Sequence, residues 1–241
     1  MIEYIEKNVM NTKILLKYSV YASLIIQILT GVANVWILQY KTSRSTNILR
    51  ELVYSELIVQ FIEVIFYIWL TYNFFKITNI TPSRYYDWMF TTPTMLITLI
   101  AYFIFLKHRV SGKDTSNLTL GDILTKEMWP ILTIVILNAA MLIFGYLGEI
   151  NKMELKLSVF IGTIAFLAYF YIIHKHYVED IKDVKEAQVM FYLFFGIWSL
   201  YGVAALLPYD WKNISYNILD LFAKNFFGVF LAVTLYNYVV E

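Results

Sequence analysis

Seven apolar runs, each long enough to cross a hydrocarbon layer, constrain this chain more than any other feature. A bilayer core of roughly 30 Å needs about 20 apolar residues per helix. Segments at about 15–38, 50–75, 85–106, 128–147, 157–176, 187–207 and 214–240 meet that length. Inside lipid each backbone polar group must be bonded within its own segment, so each run is predicted to be a helix. The expected fold class is therefore an all-α membrane protein, a bundle of seven transmembrane helices. Composition agrees, since 59% of the 241 residues are hydrophobic, 15% are charged, and mean hydropathy is +0.60. A soluble domain of this size carries far more polar surface.

Lysine and arginine separate by side. The connections and helix edges after the first, third and fifth spans hold Lys41, Arg44, Arg50, Lys107, Arg109, Lys113, Lys126, Lys175, Lys182 and Lys185. The N-terminus and the other connections hold fewer, once Lys17, Arg84 and Lys224 are placed within helices. That excess predicts an extracellular N-terminus and a cytoplasmic C-terminus. A net charge of +1 offers no basic surface for nucleic acid. The absence of cysteine excludes disulfides, thiol catalysis and cysteine-based metal sites. The opening "MIEYIEKNVMNTK" is acidic as well as basic and has no apolar core, so it is not read as a cleavable signal peptide. Ile2, Ile5 and Val9 can share one face, which suggests a short interfacial helix.

The long connection "KHRVSGKDTSNLTLGDILTKE" becomes apolar in its second half, at Leu118, Leu120, Ile123 and Leu124, and is expected to form a surface helix. Asn79 begins an "NIT" triplet that would lie outside as a glycosylation sequon. His108, His174 and His176 fall at the cytoplasmic ends as solvated edge residues, and no metal site is expected. A soluble metal- or nucleotide-dependent enzyme is set aside.

Ionisable residues inside a span are costly and face the bundle interior with a partner. The third span opens "SRYYDWMFTTP", which sets Arg84 and Asp87 one turn apart. The seventh contains "DLFAKNFF", with Asp220 and Lys224 four residues apart on one helical face. Lys224 sits mid-span among Phe222, Phe226 and Phe227, too deep to reach either surface. One reading is an interhelical ion pair that fixes packing. The sharper one is covalent modification, because a desolvated amine is a good nucleophile towards an aldehyde and forms a Schiff base.

These two motifs together resemble the microbial (type 1) rhodopsins over essentially the whole chain. The resemblance implies one seven-helix retinal-binding transmembrane domain across residues 1–241, with all-trans retinal joined to Lys224 as a protonated Schiff base. Asp87 and Asp220 would be its counterions, with Arg84 one turn below on the outer side and Thr91 hydrogen-bonded to Asp87. Trp198 and Tyr201 in "WSLYG" match the family's aromatic clamp, although Gly202 replaces the usual proline. Trp88, Thr92, Met141 and Gly145 match other pocket positions, and Phe160 is aligned with a position that is often tryptophan. Pro93 would kink its helix by freeing the Met89 carbonyl.

An outward proton pump of this family usually has a carboxylic donor eleven residues after its acceptor. Here that position is Thr98, and Lys212 stands where outer release carboxylates are expected, so a vigorous pump is disfavoured. The second span departs from the family instead. Glu56, Gln60, Glu63 and Tyr67 follow an i, i+4, i+7, i+11 pattern and share one face, while Glu51 lies near its start. The seventh span carries Asn213, Asn217, Asp220 and Lys224 at the same spacing. The two stripes are read either as a buried polar network or as a wetted path past Lys224, and acidic linings favour cations.

Glutamates in the second span with asparagines in the seventh resemble the giant-virus rhodopsins that act as light-gated cation channels. In that group a serine of the first helix and an asparagine after the lysine complete the path, which assigns Ser23 (or Ser19) and Asn225. The implied partners are a lipid bilayer, small cations or protons, and a homo-oligomer. The implied location is a host cell membrane. A weak outward proton pump and a sensory rhodopsin are the alternatives.

Overall fold

The computed structural model describes residues 2–240, and the side chains of residues 11–238. The helices are α1 (Ile2–Ile37), α2 (Asn47–Asn73), α3 (Thr81–Val110), α4 (Leu120–Lys126), α5 (Met128–Glu149), α6 (Leu155–Ile173), α7 (Lys185–Ala205), α8 (Tyr209–Asp220) and α9 (Phe226–Val240). A π turn, Leu221–Asn225, joins α8 and α9 into one rod. Seven rods are long and apolar enough to cross a membrane. Most outrun the apolar windows in the sequence, because polar end residues continue the helical hydrogen bonding beyond the hydrocarbon. The expected interfacial face of Ile2, Ile5 and Val9 lies outside the residues whose side chains are described.

The breaks between rods have local causes. α3 ends at Gly112, whose φ of 64° lets Lys113 N–H bond the His108 carbonyl at 2.9 Å. Asn151 does the same after α5, with φ 57° and Lys152 N–H on the Leu147 carbonyl at 2.9 Å. The predicted surface helix forms as α4, where the Thr119 hydroxyl accepts from Asp122 N–H at 3.1 Å. Leu118 and Ile123 are buried beneath it. The Glu51 carboxylate accepts Leu120 N–H at 2.6 Å, so it ties α4 to α2 and stays out of the polar stripe. Pro93 lies inside α3, which runs unbroken from Thr81 to Val110.

α3 is the central rod, buried almost continuously from Met95 to Leu106. An apolar belt of the bundle contains Leu49, Leu52, Val53, Phe103, Leu231 and Leu235. On the outside, large apolar side chains such as Leu29, Phe61, Trp129 and Tyr171 are exposed, as a lipid-facing surface requires. Between belt and surface, α1, α2, α3 and the α8–α9 rod turn polar side chains towards one another.

Candidate functional site

The face of α3 that meets the α8–α9 rod repeats at helical spacing: Arg84, Asp87, Trp88, Thr91, Met95 and Thr98 are all buried. The opposing rod contributes Asn213, Asn217, Asp220 and Lys224, also buried. The turn that carries Lys224 is a π turn, a form that recurs where function needs a side chain displaced from α-helical register.

Lys224 is the centre of the site. Its Nζ donates to Asp87 Oδ2 at 2.7 Å and lies 3.7 Å from Asp220 Oδ1. It also bonds Glu63 Oε1, which α2 delivers from the opposite side. The amine is thus caged by three carboxylates from three rods, each essentially inaccessible to solvent. Asp220 is fixed in turn by the Tyr201 hydroxyl on Oδ1 and the Tyr67 hydroxyl on Oδ2, each at 2.8 Å. Arg84 adds a second cation, its Nη1 3.5 Å from Asp220 Oδ2. Two cations therefore face three carboxylates; both oxygens of Asp220 are bonded, whereas Asp87 Oδ1 and Glu63 Oε2 bond no described residue.

From Arg84 the network continues to one side. Arg84 Nη2 donates to Asn217 Oδ1 at 2.5 Å and Nε to Asn213 Oδ1 at 3.0 Å. Asn217 Nδ2 donates to Ser19 Oγ at 2.8 Å, and Ser23 Oγ donates to the Asn217 carbonyl at 3.2 Å. Both candidate serines of the first span therefore reach the same asparagine. Asn213 Nδ2 closes the network on Thr81 Oγ1 at 3.0 Å. Beyond it, Lys212 Nζ pairs with Glu149 Oε1 at 2.7 Å, both nearly buried.

On another side Lys224 borders an apolar cavity of about 210 Å³, lined by Trp88, Thr92, Met141, Gly145, Trp198 and Tyr201 among others. Trp88 stands edge-on to Tyr201 and Tyr216, with ring centroids 5.5 and 5.0 Å away. At Gly145 a Cβ would come within 2.7 Å of Tyr85 Oη, so glycine is what lets the tyrosine cross the wall there.

The structure corrects one expectation and adds several residues. Phe160 does not line the cavity: it is 63% exposed, and its helix offers Ser158, Val159, Gly162, Thr163 and Phe166 instead. The register of α6 was one residue off, because a helix apolar all round gives no phase from sequence. Thr91 bonds Asp87 from i+4, through the backbone carbonyl at 3.0 Å. That is the usual route for a helical threonine hydroxyl, back to the carbonyl four residues earlier. Asn138, unremarked in the sequence, donates to Thr92 Oγ1 at 2.8 Å. It is a lone amide in an otherwise apolar run, which was the available signal. Glu63 was placed on the stripe of α2 but not against Lys224, because spacing alone gives no interhelical distance. Glu56, Gln60 and Asn225 are buried where expected, and Gln27 and Asn34 of α1 join them.

A bundle of seven membrane helices thus sets a carboxylate-caged lysine at the wall of an aromatic cavity. Residues 17–238 match the model of the bacteriorhodopsin-like protein family, and the chain belongs to that family, whose members bind retinal. It is 30% identical over 165 residues to the opsin-like protein carO of Fusarium fujikuroi, covering 62% of this chain. The chain spans about half the length of that curated relative, 46%. Its fold matches the crystal structure of viral rhodopsin OLPVRII with a TM-score of 0.78 at 24% identity, over 92% of this chain and 98% of that one. Xanthorhodopsin, described as a light-driven ion pump with dual chromophore, matches with a TM-score of 0.73 at 18% identity, over 96% of each chain.

Proposed function

We propose that the protein is a retinal-binding photoreceptor that works as a light-gated cation channel, one seven-helix domain whose N-terminus is extracellular. The observation that carries this reading is the position of Lys224 Nζ, between the three-carboxylate cage and the aromatic cavity, with buried polar stripes leading away on both sides. All-trans retinal fits the residues present: an amine for a Schiff base at the cavity wall, Trp88 and Trp198 along it, and small Gly145 beside Tyr85.

Bound retinal supplies the light-driven change of shape. The rest falls to the chain. Asp87 Oδ2, at 2.7 Å, is placed to take the proton held at Lys224 Nζ. Once that charge is gone, Glu63 and Asp220 lose their shared partner, and with it one tie between α2, α3 and the α8–α9 rod. Cations would then follow Asn213 and Asn217, pass Lys224, and leave by Asn225, Gln60 and Glu56. The excess of carboxylates over basic groups along this route favours cations over anions.

A second reading rests on one contact. Glu56 lies beside Thr98, so a carboxyl stands next to the position where the family resemblance expects a proton donor. That arrangement suits a weak outward proton pump.

Photocurrents in voltage-clamped cells, at several voltages and two ionic gradients, separate the readings. A current that reverses near an ion's equilibrium potential establishes the channel and names the ion. A current that stays outward at zero driving force establishes the pump. A coloured protein without current leaves a sensor. Unchanged photocurrent and selectivity in the Glu56→Gln plus Glu63→Gln variant would remove these residues from the path.

A further inference from the structure

One group of buried polar side chains is not used by the network around Arg84. On α1, Ser23, Gln27, Thr30 and Asn34 recur at i, i+4, i+7 and i+11, so they form one stripe, and all four are buried. Ser23 belongs to the Asn217 network, but both amide atoms of Gln27 and of Asn34 have no hydrogen-bond partner among the described residues. The same is true of both side-chain polar atoms of Gln60 and Asn225, and of Glu56, whose neighbour Thr98 donates its hydroxyl to the Thr94 carbonyl at 2.9 Å. Exposure of these five residues is between 0% and 4%.

Gly228 shows that part of this group converges. A Cβ on Gly228 would lie 3.0 Å from Asn34 Nδ2, 3.5 Å from Thr30 Cγ2 and 3.7 Å from Gln60 Nε2. The amide ends of α1 and α2 thus meet over the one position of α9 that has no side chain. Amide oxygen and nitrogen are interchangeable by a half-turn about the last torsion, so each amide can present its oxygen to the same point. The group is closed at both ends. The caged Lys224 lies on one side, and the apolar belt of Leu52, Val53, Leu231 and Leu235 on the other.

Unpaired amides in a bilayer interior are expensive, and several together are kept only where something polar occupies the space between them. Four neutral amides with one carboxylate offer oxygen ligands and a single negative charge. That donor set suits one alkali cation stripped of most of its water, whereas a divalent ion asks for more anionic oxygens.

We propose that Gln27, Asn34, Gln60 and Asn225, with Glu56, form a binding site for one largely dehydrated monovalent cation, kept open by the missing side chain of Gly228. As a step in conduction the site rests on the channel reading above. As a binding site it stands or falls by itself, and the test keeps the two apart.

The full chain, reconstituted with retinal in nanodiscs, is melted in sodium, potassium and choline chloride, and the same proteins are assayed for photocurrent. Sodium or potassium is expected to raise the melting temperature of the wild type relative to choline. Asn34→Leu and Gln60→Leu should abolish that rise while visible absorption is retained. Gly228→Ala fills the gap from the opposite rod and serves if either leucine variant fails to fold. Sodium or potassium photocurrent should fall roughly tenfold relative to proton current in each variant, as for loss of one well-formed ligand. No cation-specific rise in the wild type, or a wild-type rise retained in the folded variants, overturns the site. A specific rise that the variants lose, in a protein that passes no current, keeps the site and overturns the channel reading alone.

Discussion

The two sides of Lys224 are built from the same residue types in opposite ways. Towards Arg84, the side-chain amides of Asn213 and Asn217 are bonded to Thr81, Ser19, Tyr67 and Arg84, and Arg84 itself donates to four residues. Towards Gly228, the amides of Gln27, Asn34, Gln60 and Asn225 bond no other described residue. A saturated network in low dielectric is stiff and has one arrangement, whereas unpaired groups of similar polarity keep their bonding capacity for something mobile. The Arg84 side therefore reads as a gate closed by hydrogen bonds, and the Gly228 side as a polar stretch already laid as far as the apolar belt. In this view light has to break bonds on one side of the lysine only.

The sharpest way to break the comparison is to remove its divider. Lys224→Ala is expected to abolish visible absorption with retinal, and all photocurrent with it; a pigment that stayed coloured would refute the attachment site. A large loss of stability is expected from Lys212→Met. It strands Glu149, and breaking a buried pair from one side costs about 3–5 kcal/mol, measurable as a lower melting temperature with an unchanged absorption maximum. The central contrast is between two alanine variants. Asn217→Ala leaves Arg84 and Ser19 short of partners and should cost roughly 1–3 kcal/mol. Asn225→Ala, measured in choline, removes an amide that no described residue bonds and should be close to neutral. Equal losses in the two would erase the distinction. Phe160→Ala is the smallest change: the ring faces outward, so absorption should stay put, whereas Val159→Trp, on the cavity side, should shift or block pigment formation.

What the sequence made legible follows from what a bilayer punishes. Apolar length set the seven rods, because no alternative satisfies the backbone in lipid. Asp87, Asp220 and Lys224 stood out because a charge there demands a partner. The stripes on α2 and the last rod were readable as helical spacing. What spacing could not supply was the azimuth of one rod against another, so the bond between Glu63 and Lys224 went unseen. The one-residue slip at Phe160 has a related cause, since α6 is apolar all round and carries no polar side to fix its rotation. Gln27 and Asn34 follow the spacing of Ser23, but no charge on α1 drew attention to them. Nothing in "LFAKN" announces a π turn.

That turn has a consequence for editing the chain. A π turn holds one residue more than the α-turn it replaces, and one residue is about 100° of rotation along a helix. Deleting Leu221, Phe222, Ala223 or Asn225 would let the rod close into a regular helix, with its hydrogen bonding tightened rather than lost. Because the turn absorbs its surplus residue, everything beyond would keep its azimuth, whereas deleting Phe226 or Phe227, outside the turn, would swing Gly228 away from Asn34 and Gln60. The rod thus has slack of one residue at the lysine and none beyond it, so where the chain is shortened decides whether the last helix still points at the same neighbours.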